Sequence, residues 1–194
     1  MSKFIVVSGP SGVGKGTLIK MLQDKYKELN KKIYLSVSCT TREPREGEEE
    51  GIAYYFITEE EFLKRIENGD FLEYNKYATG KYYGTPKSTA LDYLSRGYDV
   101  ILEIDVNGYK QVKNNFKDCI GVFITAPSLD NLRSRLINRG TETMEVIEQR
   151  IERAKEELEY IHLYDRVIVN KEGKVDEAFE EFYDILNSES GQVK

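Results

Sequence analysis

A glycine-rich turn between an apolar run and a polar, helix-like stretch constrains the fold of this chain more than any other feature. The apolar run "FIVVS" occupies residues 4–8, and "GPSGVGKGT" follows at residues 9–17. Gly9, Gly12 and Gly14 allow backbone N–H groups to turn inward, because glycine tolerates positive φ. A helix that begins after the turn adds its dipole and its unpaired N–H groups. This strand–turn–helix order is the context that a phosphate-binding loop requires.

The loop departs from the usual phosphate-loop pattern at one position. That pattern ends in Gly-Lys followed by Ser or Thr, whereas here Lys15 is followed by Gly16 and the hydroxyl comes at Thr17. We expect Lys15 to reach the β- and γ-phosphates of a nucleoside triphosphate. Mg²⁺ readily keeps several waters, so we expect it to be held mainly by nucleotide phosphates and water. In this feature the loop resembles those of small-nucleotide kinases rather than those of GTPases.

Five short runs rich in Val, Ile and Phe indicate buried parallel strands. They are "FIVVS" (4–8), "IYLSVS" (33–38), "VILEID" (100–105), "IGVFIT" (120–125) and "RVIVN" (166–170). Apolar stripes at helical spacing lie between or after them: Leu18, Leu22, Tyr26 and Leu29; Leu129, Leu132 and Leu136; Ile147, Ile151, Ala154, Leu158 and Ile161; Val175, Phe179, Phe182 and Leu186. The alternation predicts an α/β fold with a parallel sheet.

Two segments do not fit this alternation. Residues 39–87 are polar and rich in tyrosine, and residues 127–160 are heavily charged. Ligands of open α/β sheets bind beyond the carboxyl ends of the strands. Insertions that leave those ends are therefore well placed to cover a ligand.

Composition excludes several other classes of protein. The 194 residues are enough for one domain with inserted lobes, and a net charge of −6 argues against nonspecific binding to nucleic acid or membranes. The first apolar run is too short for a signal segment or a membrane span. Cys39 and Cys119 have no metal or redox spacing, and we expect both to be buried in strands. We expect a cytoplasmic protein with no nucleic-acid, membrane or required protein partner.

Five further motifs, in order and at compatible spacing, resemble those of the guanylate kinase family over essentially the whole chain. They are "SCTTREPREGE" (38–48), "FLEY" (71–74), "GKYYGT" (80–85), "LEIDVNG" (102–108) and "NRGTET" (138–143). Taken together these motifs are very specific, whereas each alone is weak.

The resemblance implies a P-loop kinase core, with a five-stranded parallel sheet flanked by helices and with inserted GMP-binding and lid lobes. The implied core comprises residues 1–37, 88–126 and 161–194, the GMP-binding lobe residues 38–87, and the lid residues 127–160. The implied activity is that of a nucleoside monophosphate kinase that uses ATP and Mg²⁺ to phosphorylate GMP, and also dGMP, in purine nucleotide metabolism and GMP recycling.

Binding of the phosphate of the acceptor nucleotide requires guanidinium and hydroxyl groups. The guanidinium groups of Arg42 and Arg45 can grip a dianionic phosphate from two sides. By resemblance, Tyr54 and Tyr83 join them around the monophosphate of GMP. The alternative for the two arginines is pairing with the nearby acidic run, which contains Glu46, Glu48, Glu49 and Glu50.

The guanine base requires acceptors for its N1–H and N2–H₂ donors, and a carboxylate matches both. Glu73 stands at the carboxylate position of the family. By resemblance, Ser38 and Thr85 bond O6 and the base edges, and Asp105 lies near the guanine amino group. Glu103 stands where the family has Asp. Either Glu103 or Asp105 could instead order the waters of Mg²⁺, and the sequence leaves these roles open.

A lid of arginines is implied for the transfer step. Arg135 and Arg139 are four residues apart on a predicted helix and share a face, and Arg150 lies on the next helix. By resemblance these three close over the phosphates, with Lys15 and Arg42 completing the catalytic set. The implied ATP-binding residues are Gly9, Pro10, Ser11, Gly12, Val13, Gly14, Lys15, Gly16, Thr17, Arg135, Arg139 and Asn170. For each lid arginine the alternative is a salt-bridged helical face with Glu142, Glu145 and Glu148, and we assign that structural role to Arg133. We also expect the single histidine, His162, to be structural.

Three rival functions remain for comparison. A guanylate-kinase-like binding module would keep the fold and bind protein partners, but such modules tend to lose the phosphate loop or the arginines. A kinase for another monophosphate is disfavoured by Glu73 and Ser38, which argue against AMP. A GTPase is disfavoured by the acceptor segment.

Overall fold

The computed structural model describes residues 2–77, 79–140 and 142–188. Thr141 of the "NRGTET" motif lies outside the described residues. The strands are β1 (Phe4–Ser8), β2 (Ile33–Leu35), β3 (Cys39–Thr40), β4 (Tyr55–Phe56), β5 (Phe71–Lys76), β6 (Tyr82–Pro86), β7 (Asp99–Glu103), β8 (Ile120–Thr125) and β9 (Arg166–Val169). The helices are α1 (Lys15–Glu28), α2 (Glu59–Glu67), α3 (Lys87–Ser95), α4 (Val106–Asn115), α5 (Leu129–Arg139), α6 (Met144–Leu158) and α7 (Val175–Asn187), with a short 3₁₀ helix at Ile161–Leu163.

The predicted five-stranded sheet is confirmed, with strand order β2-β7-β1-β8-β9. All five residues of β1 are buried, as its continuous apolar run requires. Both β1 and β8 begin and end at the predicted residues. By contrast, β2 ends at Leu35, three residues before the predicted end. The N–H of Ser36 still donates to the carbonyl of Ile101 at 2.9 Å, after which the chain leaves this sheet and enters β3.

The contacts divide the chain into two compact units. The acceptor unit, as we name it, comprises the residues up to Val6 together with Lys32–Ile120. The donor unit comprises Val7–Lys31 and the residues from Gly121 onward. The division into core, GMP-binding lobe and lid is a functional one and stays a prediction.

The acceptor unit contains a second sheet that the sequence pattern did not predict. Its strand order is β4-β3-β6-β5, with β3 parallel to β4 and antiparallel to β6, and with β5 antiparallel to β6. Two of these strands are only two residues long, and β5 exposes polar side chains. Phe62 of α2 is completely buried beneath this sheet, and its ring stacks on that of Phe71 with the centroids 4.5 Å apart.

The donor unit is built by the predicted apolar stripes, with exceptions at helix ends. On α1, Leu18, Leu22 and Tyr26 are buried as predicted. Leu29 is 45% exposed, so its assignment to the core is wrong. The physical reason is that α1 ends at Glu28, and Leu29 begins the turn that leaves the helix. On the predicted stripe of α6, Leu158 is the last helical residue and Ile161 lies in the 3₁₀ helix, and both are half-buried.

The two cysteines are free and buried, as predicted. Cys39 lies in β3, but Cys119 lies one residue before β8, in the turn that follows α4. The prediction of a strand position is therefore wrong for Cys119.

The helices of the described residues are short. The longest, α6, has 15 residues, and none in the described part of the chain combines the length and apolar character needed to cross a bilayer.

We predict that Phe62→Ala lowers the free energy of unfolding by about 3–5 kcal/mol, because it removes a large, completely buried ring and leaves a cavity. Denaturant unfolding at equilibrium measures this change. Ile52→Ala is the matched control, since Ile52 is 71% exposed, and it should stay within about 0.5 kcal/mol of the wild type. Equal losses in the two variants would contradict the placement of Phe62 in the core.

Candidate active site

The backbone of the predicted phosphate loop has the conformation that its glycines allow. Gly9, Gly12 and Gly14 have φ values of 139°, 92° and 95°, so the predicted positive φ is confirmed at all three. A Cβ atom on Gly9 would lie 2.0 Å from the carbonyl oxygen of Ile124, and one on Gly14 would lie 2.6 Å from Nδ2 of Asn170. The loop thus fits against the end of β8 and against Asn170 with no space for side chains.

Lys15 is the first residue of α1 and folds back over the loop. Its ammonium group donates to the carbonyl oxygens of Gly9 at 2.7 Å and Pro10 at 3.1 Å. Gly14, the N-cap of α1, provides no side-chain cap, and the first turn contains no acidic residue. A helix N-terminus of this kind favours an anion through its N–H groups and its dipole.

Asn170 connects the end of β9 to the loop and to one predicted lid arginine. Its side-chain Nδ2 donates to the carbonyl oxygen of Val13 at 2.9 Å. Its main-chain carbonyl oxygen accepts from Nη2 of Arg135 at 2.7 Å. Asn170 is only 6% exposed, and its Oδ1 has no hydrogen-bond partner among the described residues. The structure therefore brings Arg135, Asn170 and the loop together.

A second lid arginine, Arg150, reaches the loop from α6. Its guanidinium group hydrogen-bonds the hydroxyl of Ser11 and also forms an ion pair with Glu142. Arg150 therefore lies at the loop and also has one of the acidic partners that the alternative interpretation names.

The two other arginines of α5 differ from Arg135 and Arg150. Arg139 is exposed at the last turn of α5, and within the described ranges it makes no hydrogen bond to the loop. Arg133 pairs with Glu148 at 2.9 Å, which confirms its predicted structural role.

In the acceptor unit, Arg42 is held by a carboxylate of the acidic run. Its Nη1 and Nη2 each donate to one oxygen of Glu48 at 2.7 Å, and Nη1 also donates to the carbonyl of Glu43 at 2.8 Å. The hydrogen bonds from Arg42, assisted by the backbone N–H of Arg45 at 2.9 Å, lower the pKa of Glu48 to about 2. The pairing with the acidic run is thus present for Arg42.

Two tyrosines stand beside this guanidinium group. Cζ of Arg42 lies 5.2 Å from the ring centroid of Tyr54. The rings of Tyr54 and Tyr83 pack edge to face, with their centroids 5.7 Å apart. Burial raises the pKa of the Tyr54 phenol, and neighbouring Tyr83 and Glu103 raise it further against the opposing charge of Arg42. Three of the four predicted phosphate ligands are therefore close together, while the side chain of Arg45 is exposed.

The predicted base-reading residues form a hydrogen-bonded row. The hydroxyl of Thr85 donates to Oε1 of Glu73 at 2.6 Å, and the hydroxyl of Ser38 lies 3.3 Å from that of Thr85. Thr85 is completely buried and Glu73 is 5% exposed. Burial raises the pKa of Glu73 to about 7, and the charge of Asp105 adds to the rise, against a lowering by the hydrogen bond from Thr85.

Asp105 and Glu103 occupy different environments at the end of β7. Asp105 is the N-cap of α4, where its Oδ1 accepts from the N–H of Gly108 at 2.9 Å. Its Oδ2 accepts from Nδ2 of Asn75 at 3.0 Å and from the hydroxyl of Tyr77 at 2.8 Å. Glu103 is the last residue of β7 and is exposed. Asp105 thus connects α4 to Asn75 and Tyr77 through its two carboxylate oxygens.

Several residues that build the site gave little signal in the sequence. Glu48 was one of four acidic candidates, and only the structure identifies it as the partner of Arg42. Gly108 ends the motif "LEIDVNG", but no property of the sequence shows that it meets Glu73. Gln111 and Asn75 belong to no motif, and their contacts depend on tertiary packing alone.

The loop and its surroundings define a class of protein. A glycine loop that joins a buried strand to an uncapped helix, with arginines reaching the loop, is the arrangement of P-loop phosphotransferases.

Comparison with known proteins gives the family. The family model described as guanylate kinase matches residues 1–189. The guanylate kinase of Clostridium tetani is 48% identical over 97% of this chain and 87% of its own length, and that of Enterococcus faecalis is 49% identical over 97% and 90%. The crystal structure of guanylate kinase from Anaplasma phagocytophilum matches 99% of this chain and 88% of its own, with a TM-score of 0.76 and 30% identity. The chain belongs to the guanylate kinase family.

The raised pKa of Glu73 predicts a pH-dependent stability. Its carboxyl has a pKa of about 7 in the folded protein against an ordinary value of 4.5. Between these values the unfolded chain releases a proton that the folded protein keeps, so the contribution of Glu73 to the free energy of unfolding falls as pH rises and levels off above the folded pKa.

Glu73→Gln removes this contribution. The free energy of unfolding of the variant, relative to that of wild type, should therefore rise by about 2–4 kcal/mol between pH 4.5 and about pH 7. Denaturant unfolding of both proteins at several pH values measures the difference. A difference that is flat with pH would show that the Glu73 carboxyl has an ordinary pKa.

Proposed function

We propose that the donor and acceptor units divide the reaction of this family between them, the first binding ATP and the second binding GMP. The chain transfers the γ-phosphoryl group of ATP to GMP and forms ADP and GDP. The observation that carries the choice of acceptor is the buried carboxylate of Glu73, with the hydroxyl groups of Thr85 and Ser38 beside it.

On the donor side, the loop holds the phosphates of ATP. Backbone N–H groups at the start of α1 and the Lys15 ammonium group bind the β- and γ-phosphates, and Thr17 offers its hydroxyl to the α/β-phosphates. Arg135, Arg139 and Arg150 stabilise the negative charge of the transferring group, which is where this reaction gains most from a protein. The contacts of Arg135 and Arg150 around the loop support this assignment.

Asn170 is proposed to contact the adenine side of ATP. Its Nδ2 already donates to Val13, while its buried Oδ1 is without a partner in the described part of the chain. A buried acceptor that lacks a donor is costly. An amino group on the nucleotide would supply that donor.

On the acceptor side, Arg42, Arg45, Tyr54 and Tyr83 bind the monophosphate of GMP. The pairing of Arg42 with Glu48 does not oppose this role, because a guanidinium group has five N–H donors and can hold a carboxylate and a phosphate oxygen together. No general base is required, since the phosphate of GMP is already an ionised nucleophile.

The base is read by Glu73. In its ionised form the carboxylate accepts from N1–H and N2–H₂ of guanine, whereas adenine places a lone pair at N1 and is repelled. The two donors of guanine favour the ionised form, so we expect binding of GMP to lower the pKa of this carboxyl. Ser38 and Thr85 contact the remaining edges of the base.

The proposal includes Mg²⁺ and a cytoplasmic location, where ATP and GMP are available. The described residues contain no group of three His, Cys, Asp or Glu that could hold a metal, and the position of Gly16 is open. We expect Mg²⁺ to be bound by nucleotide phosphates and water and to neutralise phosphate charge there. Glu103 and Asp105 both stay candidates for ordering its waters, and both oxygens of Asp105 also accept hydrogen bonds within the acceptor unit.

A binding module that keeps the fold without catalysis is the main rival. The placement of Lys15, Arg135 and Arg150 at the loop, and of Arg42 beside Tyr54, favours the enzyme. A coupled assay that compares GMP, dGMP, AMP and UMP with ATP tests this choice. Activity restricted to GMP and dGMP is expected, and no activity with any of them would favour the module.

Lys15→Ala should lower kcat by at least about 100-fold, because loss of the charge beside the migrating phosphoryl group costs at least about 3 kcal/mol of transition-state stabilisation. Steady-state kinetics with GMP saturating measure the change. Lys20→Ala is the control, since Lys20 lies exposed on the same helix and pairs with Asp24. Near-normal turnover of Lys15→Ala would refute the assignment of ATP to this loop.

Glu73→Gln should lower kcat/KM for GMP by about 30- to 1000-fold, because one acceptor oxygen becomes a donor that faces a donor of guanine. AMP should be rejected less strongly, since its N1 can accept from the new amide. The measurement is the ratio of kcat/KM for GMP to that for AMP at saturating ATP, with the exposed Glu60→Gln as control. A ratio that falls by less than about tenfold would rule out Glu73 as the residue that reads the base.

A further inference from the structure

One face of α4 lies against the strand that carries Glu73. Three residues of this face, Asp105, Gly108 and Gln111, are spaced by three and lie at or after the start of α4. They contact three consecutive residues of β5, the edge strand of the second sheet. We call Asp105, Gly108 and Gln111 the α4 ridge.

The two ends of the α4 ridge contact the two residues of β5 that follow Glu73. The amide of Gln111 accepts from the N–H of Tyr74 at 3.1 Å and donates to its carbonyl at 2.8 Å. The carboxylate of Asp105 accepts from Nδ2 of Asn75 at 3.0 Å. Gln111 thus holds the backbone of Tyr74 and Asp105 holds the side chain of Asn75, both on the edge strand of the second sheet.

The middle of the α4 ridge meets Glu73 itself. A Cβ atom on Gly108 would lie 2.6 Å from Oε2 of Glu73, 3.1 Å from its Cδ and 3.2 Å from Cβ of Ile104. Gly108 does not have a positive φ, so its backbone does not require glycine. Glycine is also among the weakest helix formers. The space that a side chain at this position would fill is occupied by the Glu73 carboxylate.

We propose that the α4 ridge sets the position and plane of the Glu73 carboxylate and thereby determines base specificity, with Gly108 and Gln111 as positioning residues. This inference rests on the proposed role of Glu73 in reading guanine. A bidentate contact requires both carboxylate oxygens to lie in the plane of the base donors. Thr85 fixes Oε1 and Gly108 leaves room for Oε2, so the two together define that plane.

The test begins with Gly108→Ala. The two atoms nearest to the added methyl group belong to the end of the Glu73 side chain, so we expect the carboxylate to move most. We expect kcat/KM for GMP to fall by at least about tenfold, since small misplacements of a reading group have effects of about that size or larger. KM for ATP and Tm should stay close to the wild-type values. Asn107→Ala is the control, because Asn107 is the exposed preceding residue of the same helix.

A binding measurement separates positioning from a general loss of activity. Inosine monophosphate lacks the 2-amino group of GMP but keeps N1–H and O6. If the carboxylate is displaced from the amino group, the ratio of Kd for inosine monophosphate to Kd for GMP should fall in Gly108→Ala. An unchanged ratio together with normal GMP kinetics would overturn the proposal.

Two further variants keep the proposal falsifiable if Gly108→Ala is poorly folded. Gln111→Leu keeps the approximate volume but removes both bonds to Tyr74, and it should shift the same Kd ratio in the same direction. The double variant Gly108→Ala with Glu73→Asp shortens the carboxylate away from the added methyl group. The second change should therefore cost less in this background than in the wild type, and strictly additive effects would overturn the proposal.

Failure of this inference can be distinguished from failure of the proposed function. An unchanged GMP-to-AMP ratio in Glu73→Gln would remove Glu73 from base reading and overturn both. A changed ratio in Glu73→Gln, with wild-type behaviour of Gly108→Ala and Gln111→Leu, would overturn only the role of the α4 ridge.

Discussion

The structure depends on glycines at which another group approaches the backbone too closely to leave room for a side chain. Gly9 lets the phosphate loop lie against the carbonyl of Ile124, and Gly14 lets it lie against Asn170. In the acceptor unit, Gly84 lies under the ring of Phe62, and Gly108 lies under the carboxylate of Glu73. A methyl group at any of these positions would meet another atom at 3.0 Å or less. Interiors are packed closely enough that such an atom must move.

The chain must bind polyanions while its net charge is −6. Its arginines reconcile these conditions by pairing with carboxylates, as Arg42 does with Glu48 and Arg150 with Glu142. These pairs restrict the rotamers of long side chains, so less conformational entropy remains to be lost when a phosphate binds. The same acidic residues limit the positive surface that would attract nucleic acid nonspecifically.

Features of the sequence that depend on continuous burial predicted the structure well. The runs at β1 and β8 matched their strands residue for residue, because parallel strands covered on both faces are apolar throughout. The second sheet was missed because β3 and β4 are two residues long and β5 is an edge strand whose sequence, FLEYNK, has no regular alternation of polar and apolar residues. Helix ends were misjudged at Leu29, since periodicity does not show where a helix stops.

For the site, residue types and motifs predicted Lys15, Arg135, Arg150 and Asn170, which the structure brings to the loop. The row of Ser38, Thr85 and Glu73 also lies together as the motifs implied. Their supporting partners could not be predicted, because Glu48 is one of several equivalent carboxylates and Gln111 acts through a contact between distant segments. The roles of all these residues in binding and catalysis stay predictions.

The amide of Gln111 has a consequence beyond the reaction. An edge strand presents unpaired N–H and C=O groups, which can pair with a strand of another molecule and start aggregation. By bonding both backbone groups of Tyr74, Gln111 takes the place of a neighbouring strand at this point of β5. An incoming strand would have to displace a side chain that is covalently tied to α4. One glutamine thus makes the open border of the second sheet a poor template for intermolecular β-pairing.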